Sequence, residues 1–386
     1  MNGKDLQDAV EFVGDDLLDM AEHRQFRKSP WWKVLPVAAV FAILLGVGAG
    51  IYHQYNMLSP SPALTQPDSV EEVAPSAPDS EISSTVPVEP VDNSSTSPIL
   101  AVFPMIDPDS LAAYKESVQS LDEAALQLNE AGVEQPGTDL FTKQGDQVLA
   151  LDMVNEILLL RVRGNGYQGV LAICKDPTKL SLQPSSQLGT MGETVGTIAQ
   201  AHGGILAING SGFPDDNGQG TGHSIWGYAM HDGIPYTQNG DMSPDRARLE
   251  IDKDGWFHLT KAGTDFRPDT QNAVTFGPAL IENGTILVDE DCGYTGIQSR
   301  SVIGQADDGS VMLLVIEGRQ PPRSLGTDVI QCANILARYN CQTAINLDGG
   351  TSSIMWYQGE PVTQCSNPKI PDGRLLPDAL VIQGQS

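Results

Sequence analysis

One uncharged segment near the N-terminus limits what this chain can form more than any other feature. The segment 34–51 has 18 residues and no charged side chain, the length that an α-helix needs to cross a lipid bilayer. Two tryptophans precede it, and Tyr52 and Tyr55 follow it, as is typical of aromatic rings at a membrane interface. We therefore predict a single transmembrane helix at 31–54.

The charges around this segment predict its orientation. Basic side chains precede it at Arg24, Arg27, Lys28 and Lys33, and the first one after it is Lys115. Because basic flanks stay in the cytoplasm, we expect a cytoplasmic tail at 1–30 and an extracellular C-terminal domain on the cell membrane. A cleaved signal peptide is the alternative, although its apolar core is usually shorter and follows a short basic leader.

The chain after the predicted helix begins with a region of biased composition. Between 58 and 99 there are 8 prolines, 10 serines and seven acidic residues, without a basic or aromatic side chain. Such a segment cannot bury enough apolar surface to offset the entropy of ordering. We therefore expect a disordered, Pro/Ser-rich acidic linker at 55–100.

A helical N-terminal extension is predicted at 101–140. Ser110 is a suitable N-cap residue, apolar residues follow at helical spacing, and Gly132 and Pro136 end the pattern. We expect a helix of roughly 20 residues that packs on the domain after it.

The residues 141–386 are expected to form an α+β domain of mixed strands with a few packed helices. Apolar runs typical of strands occur at 157–164, 167–176, 205–213 and 309–319. Helical patterns occur at 192–202 and 327–339, which are too few for regular βαβ alternation. The formal charge of −27 argues against a nucleic-acid partner, because an acidic chain repels polyanions.

Two predicted strands end in the same residues, Ala-Ile-Asn, before a loop that contains glycine. Asn209 is followed by Gly210, and Asn346 is followed by Leu347, Asp348, Gly349, Gly350, Thr351, Ser352 and Ser353. Glycine lets a ligand approach the backbone closely, and hydroxyls with exposed N–H groups suit sugar hydroxyls or a phosphate. A tight Asp-Gly-Gly hairpin turn is the alternative interpretation.

The order of the motifs resembles the phosphodiester glycosidase family. The motifs are Asn-Gly-x-x-Phe at 209–213, Phe-Gly-Pro-x-Leu-Ile-x-Asn-Gly at 276–284, Ser-Arg-Ser-Val-Ile-Gly-Gln at 299–305, Val-Ile-Glu-Gly-Arg at 315–319 and Asn-Leu-Asp-Gly-Gly at 346–350. The resemblance covers 145–386 and implies hydrolysis of a sugar-1-phosphate diester, of the N-acetylglucosamine type, in envelope or extracellular polysaccharide. The first loop departs from the family's common Asn-Gly-Gly-Phe/Tyr-Phe, which leaves the identity of the sugar open.

The resemblance also implies site residues. Asp348, in the central motif, is the first catalytic candidate. Glu317, the second, ends a very apolar run, where an acid either faces solvent or has a raised pKa inside a cleft. The substrate-binding candidates are Asn209, Gly210, Arg300, Arg319, Asn346, Gly349, Gly350, Thr351, Ser352, Ser353 and Arg374. The arginines suit bidentate phosphate binding, with structural ion pairs as the alternative.

We predict no cofactor, and no histidine has the spacing of a zinc ligand. Asp215, Asp216 and Asn217 offer oxygen ligands to a divalent cation such as calcium, with a solvated turn as the alternative. All five cysteines lie on the predicted external side. The pairs Cys332–Cys341 and Cys292–Cys365 are candidate disulfides, which would leave one thiol over, and buried thiols are the alternative.

Two other functions stay open beside the hydrolase. One is a non-catalytic carbohydrate-binding module at the cell surface, and the other is a transferase that acts on envelope polymers. In each case the expected partners are a glycan or sugar-phosphate polymer and, through 31–54, the membrane.

Overall fold

The computed structural model describes a large part of the chain after the predicted linker. The described residues are 97–118, 122–215, 219–238, 246–261 and 263–384, and all of them belong to the compact unit Asp92–Ser386. The predicted cytoplasmic tail, the transmembrane helix and nearly all of the linker lie outside them. Within the described ranges, no helix combines the length and the apolar character needed to cross a membrane.

The described residues are rich in strands and contain few helices, as the sequence predicts. The α-helices are α1 (Pro98–Val102), α2 (Pro108–Ser117), α3 (Val195–Ala201) and α4 (Val329–Ala337). The strands are β1 (Gln127–Asn129), β2 (Gln147–Asp152), β3 (Ile157–Gly164), β4 (Tyr167–Cys174), β5 (Leu180–Pro184), β6 (Gly204–Asn209), β7 (Gly227–His231), β8 (Ile234–Gln238), β9 (Ala247–Asp252), β10 (Phe257–Lys261), β11 (Thr270–Phe276), β12 (Ala279–Glu282), β13 (Thr285–Ile286), β14 (Arg300–Ala306), β15 (Val311–Ile316), β16 (Cys341–Asn346), β17 (Met355–Tyr357), β18 (Glu360–Pro361) and β19 (Asp378–Gln383).

These strands form three sheets, and the described pairings are antiparallel. The largest sheet has nine strands in the order β1-β2-β3-β4-β15-β14-β16-β12-β13. The second sheet has the order β10-β9-β11-β7-β8, and the third has the order β18-β17-β6-β19-β5. Strands that are distant in sequence therefore become neighbours, which brings the motif-bearing β6 and β16 into one domain.

The nine-stranded sheet is covered on both faces, which explains its continuous apolar runs. In β3, Leu158, Leu160 and Val162 pack in the same apolar cluster as side chains of α1, α2 and α4. The alternate residues Ile157 and Leu159 pack in the cluster that contains side chains from the other two sheets. Successive side chains of a strand point to opposite faces, so a strand buried on both faces needs apolar residues at every position.

The predicted N-terminal helix is shorter than expected, which corrects the estimate of about 20 residues. The helix α2 ends at Ser117, and its N-cap is Asp107, whose carboxylate accepts a hydrogen bond from the Ser110 N–H at 2.9 Å. Leu128, which falls between Ser110 and Gly132 in the predicted helical pattern, lies in β1 and pairs with Leu151 of β2. Pairing at the sheet edge thus replaces helix in this segment, but the extension does pack on the domain, because Leu111 is buried in its core.

Neither candidate disulfide is formed. All five cysteines are free thiols, and four of them are buried. Burial raises the pKa of Cys332 to about 12 and that of Cys174 to about 11. Cys332 lies inside α4, in the apolar cluster under the nine-stranded sheet. These thiols are therefore packing residues of low reactivity.

Candidate functional site

The two Ala-Ile-Asn strand ends meet where the nine-stranded sheet adjoins the third sheet. Asn209, at the end of β6, donates from Nδ2 to the backbone oxygen of Asp348 at 2.8 Å and accepts from the Ser301 hydroxyl at 2.6 Å. Asn346, at the end of β16, donates from Nδ2 to the Gly277 oxygen at 2.8 Å. The asparagines therefore hold the loops of three sequence motifs together.

The loop after β16 is not the hairpin turn that was the alternative interpretation. It contains a short 3-10 turn at Gly350–Ser352 and leads to β17, which lies in a different sheet. Gly350 has a φ of +60°, in the left-handed region that favours glycine. A glycine is thus required at the point where the chain crosses from one sheet to the other.

The Asp348 side chain is partly covered at this crossing. Its Oδ1 accepts the Gly349 N–H at 3.0 Å. Burial raises the pKa of the Asp348 carboxyl above its ordinary value, while a hydrogen bond with Ser352 and the charge of Arg374 act in the opposite direction. A carboxyl in this state can give or take a proton closer to neutral pH than a solvent-exposed aspartate can.

Two polar atoms in the segment that contains Asp348 have no protein partner. Asn346 Oδ1 and Ser353 Oγ are buried without a hydrogen bond to any described residue. Such atoms are costly to bury unless a water or a ligand satisfies them. They are the strongest sign in this part of the structure that a polar molecule binds at the loop.

Arg319 lies next to the glycine loop. A Cβ placed on Gly350 would lie 3.5 Å from Arg319 Nη2, and the same nitrogen donates to Gln298 Oε1 at 3.3 Å. Arg319 has a φ of +59°, an unusual backbone conformation for a residue other than glycine. The guanidinium is thus directed toward the loop that carries Asp348.

Arg374 is also near the loop but is paired. Its guanidinium forms a bidentate ion pair with Asp215, at 2.6 and 3.0 Å, and lies 4.5 Å from the ring centre of Phe213. The Asp215 carboxylate, a predicted cation ligand, is therefore bound by Arg374, and its pKa is lowered chiefly by that contact. Asp216 and Asn217 lie outside the described residues, among which no cluster of three or more acidic, histidine or cysteine side chains could hold a metal.

Glu317 is held in a structural network rather than left free. It is 4% exposed, and Arg323 donates to both of its oxygens, at 2.6 and 3.1 Å. The Gln364 N–H and the Gln168 side chain donate to it as well, at 2.9 and 3.1 Å. Through these four hydrogen bonds, Glu317 links the end of β15 to the surrounding loops.

Arg300 is likewise bound by groups of the protein. The remaining predicted residues belong to the glycine loop. Arg300 is buried and donates to the backbone oxygens of Thr327, Tyr294 and Gly296, at 3.1, 3.1 and 2.6 Å. These contacts favour the structural alternative for this arginine. Thr351 accepts a weak hydrogen bond from the Cys365 thiol on its backbone oxygen.

The structure adds Asp378, which sequence reasoning did not select. Asp378 is fully buried, and it accepts the Ser211 N–H at 2.6 Å and the Ser211 hydroxyl at 2.8 Å. A Cβ placed on Gly210 would lie 2.4 Å from Asp378 Oδ1, so Gly210 is needed for close packing against this acid. The resemblance at 145–386 includes Asp378, but none of the motifs that carry it does.

Asp378 should give the fold a specific pH dependence. Burial raises its pKa from 3.8 to about 6. The folded state therefore binds the proton more tightly than the unfolded state, and the stability that this provides is present below pH 4 and lost as the pH rises to 6. Compared with Asp378→Asn, the parent should lose about 3 kcal/mol of unfolding free energy over this range. Urea titrations of both proteins from pH 4 to 7 measure the difference, and a difference that is constant with pH would contradict the assignment.

A second missed feature is a cation between two aromatic rings. The Arg246 guanidinium lies 4.3 Å from the ring centre of Phe276 and 5.5 Å from that of Trp226. Trp226 is 38% exposed, and Phe276 touches the first loop, since a Cβ on Gly212 would lie 2.6 Å from its ring. Among the described residues, no carboxylate pairs with Arg246. Phe276 begins the motif at 276–284, but the sequence does not place Arg246 and Trp226 beside it, because the three residues lie on separate loops and strands.

The fold and the site together define a strand-rich domain in which a partly covered carboxyl of raised pKa lies among glycines, hydroxyls and guanidinium groups. Residues 202–383 match the phosphodiester glycosidase family. This match confirms the resemblance to that family seen in the sequence, over residues 202–383.

Individual relatives are distant. A prophage-derived uncharacterized protein of Bacillus subtilis strain 168, YomE, is 28% identical over 202 residues, which are 50% of this chain and 29% of that protein. This chain thus spans less than a third of the length of that curated relative. The catalytic domain of zebrafish N-acetylglucosamine-1-phosphodiester alpha-N-acetylglucosaminidase, auto-inhibited by its pro-peptide, aligns with a TM-score of 0.49 at 19% identity, over 67% of this chain and 88% of that one. A hypothetical protein from Synechocystis aligns with a TM-score of 0.43 at 14% identity, over 61% and 63% of the two chains.

Proposed function

We propose that this protein hydrolyses glycosyl phosphodiesters, with Asp348 as the group that exchanges a proton during the reaction. The observation that carries the proposal is the partly covered Asp348 carboxyl of raised pKa, in a segment that matches the phosphodiester glycosidase family and that also contains two buried polar atoms without a protein partner. Cleavage at the anomeric carbon releases a phosphate monoester, which is a weaker base than the alkoxide of an ordinary glycoside and so needs less protonation. One carboxyl that activates water or stabilises the charge on the sugar can therefore suffice, where other glycosidases use two.

The cations around the loop would hold the phosphate. Arg319 lies against Gly350, and the N–H groups of the glycine loop can add hydrogen bonds to the same oxygens. The Asn346 amide oxygen and the Ser353 hydroxyl would bind sugar hydroxyl groups, since these two atoms lack protein partners. In this arrangement Glu317 and Arg300 support the loops and do not contact the substrate.

The substrate class and the location are parts of the same proposal. We place the domain outside the cell, anchored by the predicted helix at 31–54, and acting on N-acetylglucosamine-type phosphodiesters in envelope or extracellular polysaccharide. The apolar segment, its basic flank and the acidic linker of the sequence support this topology.

The direct test compares two small substrates that differ only in the phosphate. The full chain is incubated with the methyl diester of α-N-acetylglucosamine-1-phosphate and, separately, with methyl α-N-acetylglucosaminide. We expect free sugar from the diester and none from the glycoside. Binding of the sugar without release from either compound would favour the carbohydrate-binding module, and equal release from both would exclude specificity for phosphodiesters.

Arg246 should contribute to substrate binding more than to the chemical step. Replacing it by glutamine removes a charge that can pair with phosphate, and we expect KM for the diester to rise about tenfold with little change in kcat. Arg267→Gln is the matched control, because Arg267 is an exposed arginine paired with Asp269. An unchanged KM, or an equal change in both variants, would remove Arg246 from the site.

A further inference from the structure

A groove outside the candidate site is lined by three arginines. It has a volume of about 330 Å³ and is formed by Phe141, Gln144, Gly145, Asp146, Gln147, Arg161, Arg163 and Arg338. Three guanidinium groups thus face one carboxylate. This excess of positive charge occurs in a chain with 49 acidic and 22 basic residues, where acidic partners are abundant. The guanidinium groups of such a cluster repel one another, and a bound anion reduces that repulsion.

Two of the arginines are fixed in place by the protein. Arg161 Nη1 donates to the Pro136 oxygen at 2.6 Å and to the Gln147 side chain at 3.0 Å. Arg338 lies 3.1 Å from Asp146 Oδ2, and the Tyr339 hydroxyl donates to the same carboxylate oxygen at 2.5 Å. Side chains that are already ordered lose little further entropy when a ligand binds.

The third arginine completes the cluster. Arg163 is exposed near the end of β3, and among the described residues neither it nor Arg161 has a carboxylate within ion-pair distance. Burial lowers the pKa of Arg161, and the charges of Arg163 and Arg323 lower it further, while the charge of Glu317 acts in the opposite direction. The arginines therefore repel one another, and a bound anion would relieve that repulsion.

The groove is separate from the candidate active site. Arg338 precedes β16 and Asp348 follows it, so the strand Cys341–Asn346 lies between them, a length of roughly 20 Å. None of the residues that line the groove belongs to the loops around Asp348.

We propose that this groove is a second binding site, for phosphate groups. A guanidinium presents two parallel N–H donors that match phosphate oxygens, and three of them around one carboxylate suit a doubly charged phosphate or two neighbouring phosphodiesters. The exposed ring of Phe141, 39% accessible at the groove, provides an apolar surface beside the charge. The phosphate can come from a repeating polymer or from a small phosphate compound. Phosphate binding in this groove does not require that the protein hydrolyse phosphodiesters.

The test measures binding of phosphate to the full chain by titration calorimetry. The probes are inorganic phosphate, a polyphosphate chain at the same phosphate concentration, and polyglutamate of similar length. We expect binding of phosphate that weakens as salt is added. Tighter binding of the polymer would identify a repeating source, and equal affinity per phosphate would identify a small compound. No binding of either phosphate probe, or equal binding of polyglutamate, would overturn the assignment.

Single-residue variants test whether the phosphate binds in the groove. Arg163→Gln should weaken phosphate binding about tenfold, because one charged hydrogen-bonding group is lost. Arg163 is exposed and has no structural partner among the described residues, so this variant should fold. Arg267→Gln, elsewhere on the surface, and Arg319→Gln, at the candidate active site, should bind the phosphate probe in this groove as the parent does. If Arg163→Gln binds as tightly as the parent, or if only Arg319→Gln loses affinity, the groove is not the site.

Discussion

Replacing Asp348 by asparagine should reduce release of sugar from a sugar-1-phosphate diester by about 10² to 10⁴-fold. The amide has nearly the same shape and can keep the contact with the loop, but it cannot take up or give a proton. The measurement is kcat of the full chain and of the variant with the methyl diester of α-N-acetylglucosamine-1-phosphate. The affinity for the sugar phosphate should change much less, because the asparagines, glycines and arginines around the loop are unaltered.

Asp308→Asn is the matched control for this variant. Asp308 is an aspartate whose carboxylate pairs with Lys175 and accepts hydrogen bonds from Ser310, and it lies in the turn between β14 and β15, outside the motifs of the site. We expect full activity from it. If Asp348→Asn turns over the diester at the rate of the parent, Asp348 is not the reacting group, and the proposed mechanism is wrong.

Replacing Glu317 by glutamine should destabilise the fold by about 3 kcal/mol. Glu317 is 4% exposed, and its two oxygens accept four hydrogen bonds, two of them from Arg323. The amide group of glutamine would point a donor at the donors of Arg323 or Gln168. The Arg323 side chain is 26% exposed and recovers part of its hydration, so the expected loss is at the lower end for a broken buried pair. Urea unfolding measures it.

Glu134→Gln separates this effect from a general loss of charge near Arg323. Glu134 lies 3.4 Å from the same guanidinium, but its side chain is 83% exposed, so its removal should leave the stability nearly unchanged. A Glu317→Gln protein that is as stable as the parent yet inactive on the diester would instead assign Glu317 to catalysis.

The strands could be predicted because their signal is local. The apolar runs at 157–164 and 309–319 correspond to β3 and β15, which are buried on both faces and so need apolar residues at every position. The length of the helix expected from Ser110 was overestimated because its end depends on a contact that is not local. Its second half is decided by pairing of Leu128 with β2, a contact with a residue that no local pattern identifies.

The residues of the candidate site also fall into two groups, those that the sequence could place and those that it could not. The glycines and Asp348 could be placed in loops after strands, because turn residues and strand ends are visible in the sequence. The sequence could not distinguish an arginine that faces a ligand from one that is bound by the protein. Arg300 donates to three backbone oxygens, whereas Arg246 lies between two aromatic rings. In the sequence the two arginines look alike, because Arg300 begins β14 and Arg246 immediately precedes β9.

The sequence by itself determined the apolar strands and the glycine loop, since each depends on residues that are close along the chain, and the anchor and linker stay predictions from the same kind of local pattern. Only the tertiary structure decided which polar groups meet. Asn209 contacts the Asp348 backbone although 139 positions separate them, and Asp378 lies 167 positions from the Ser211 that it holds. Such contacts depend on the order of strands in the sheets. Hydrogen bonds and charges act over a few ångströms in space, whatever their separation in sequence.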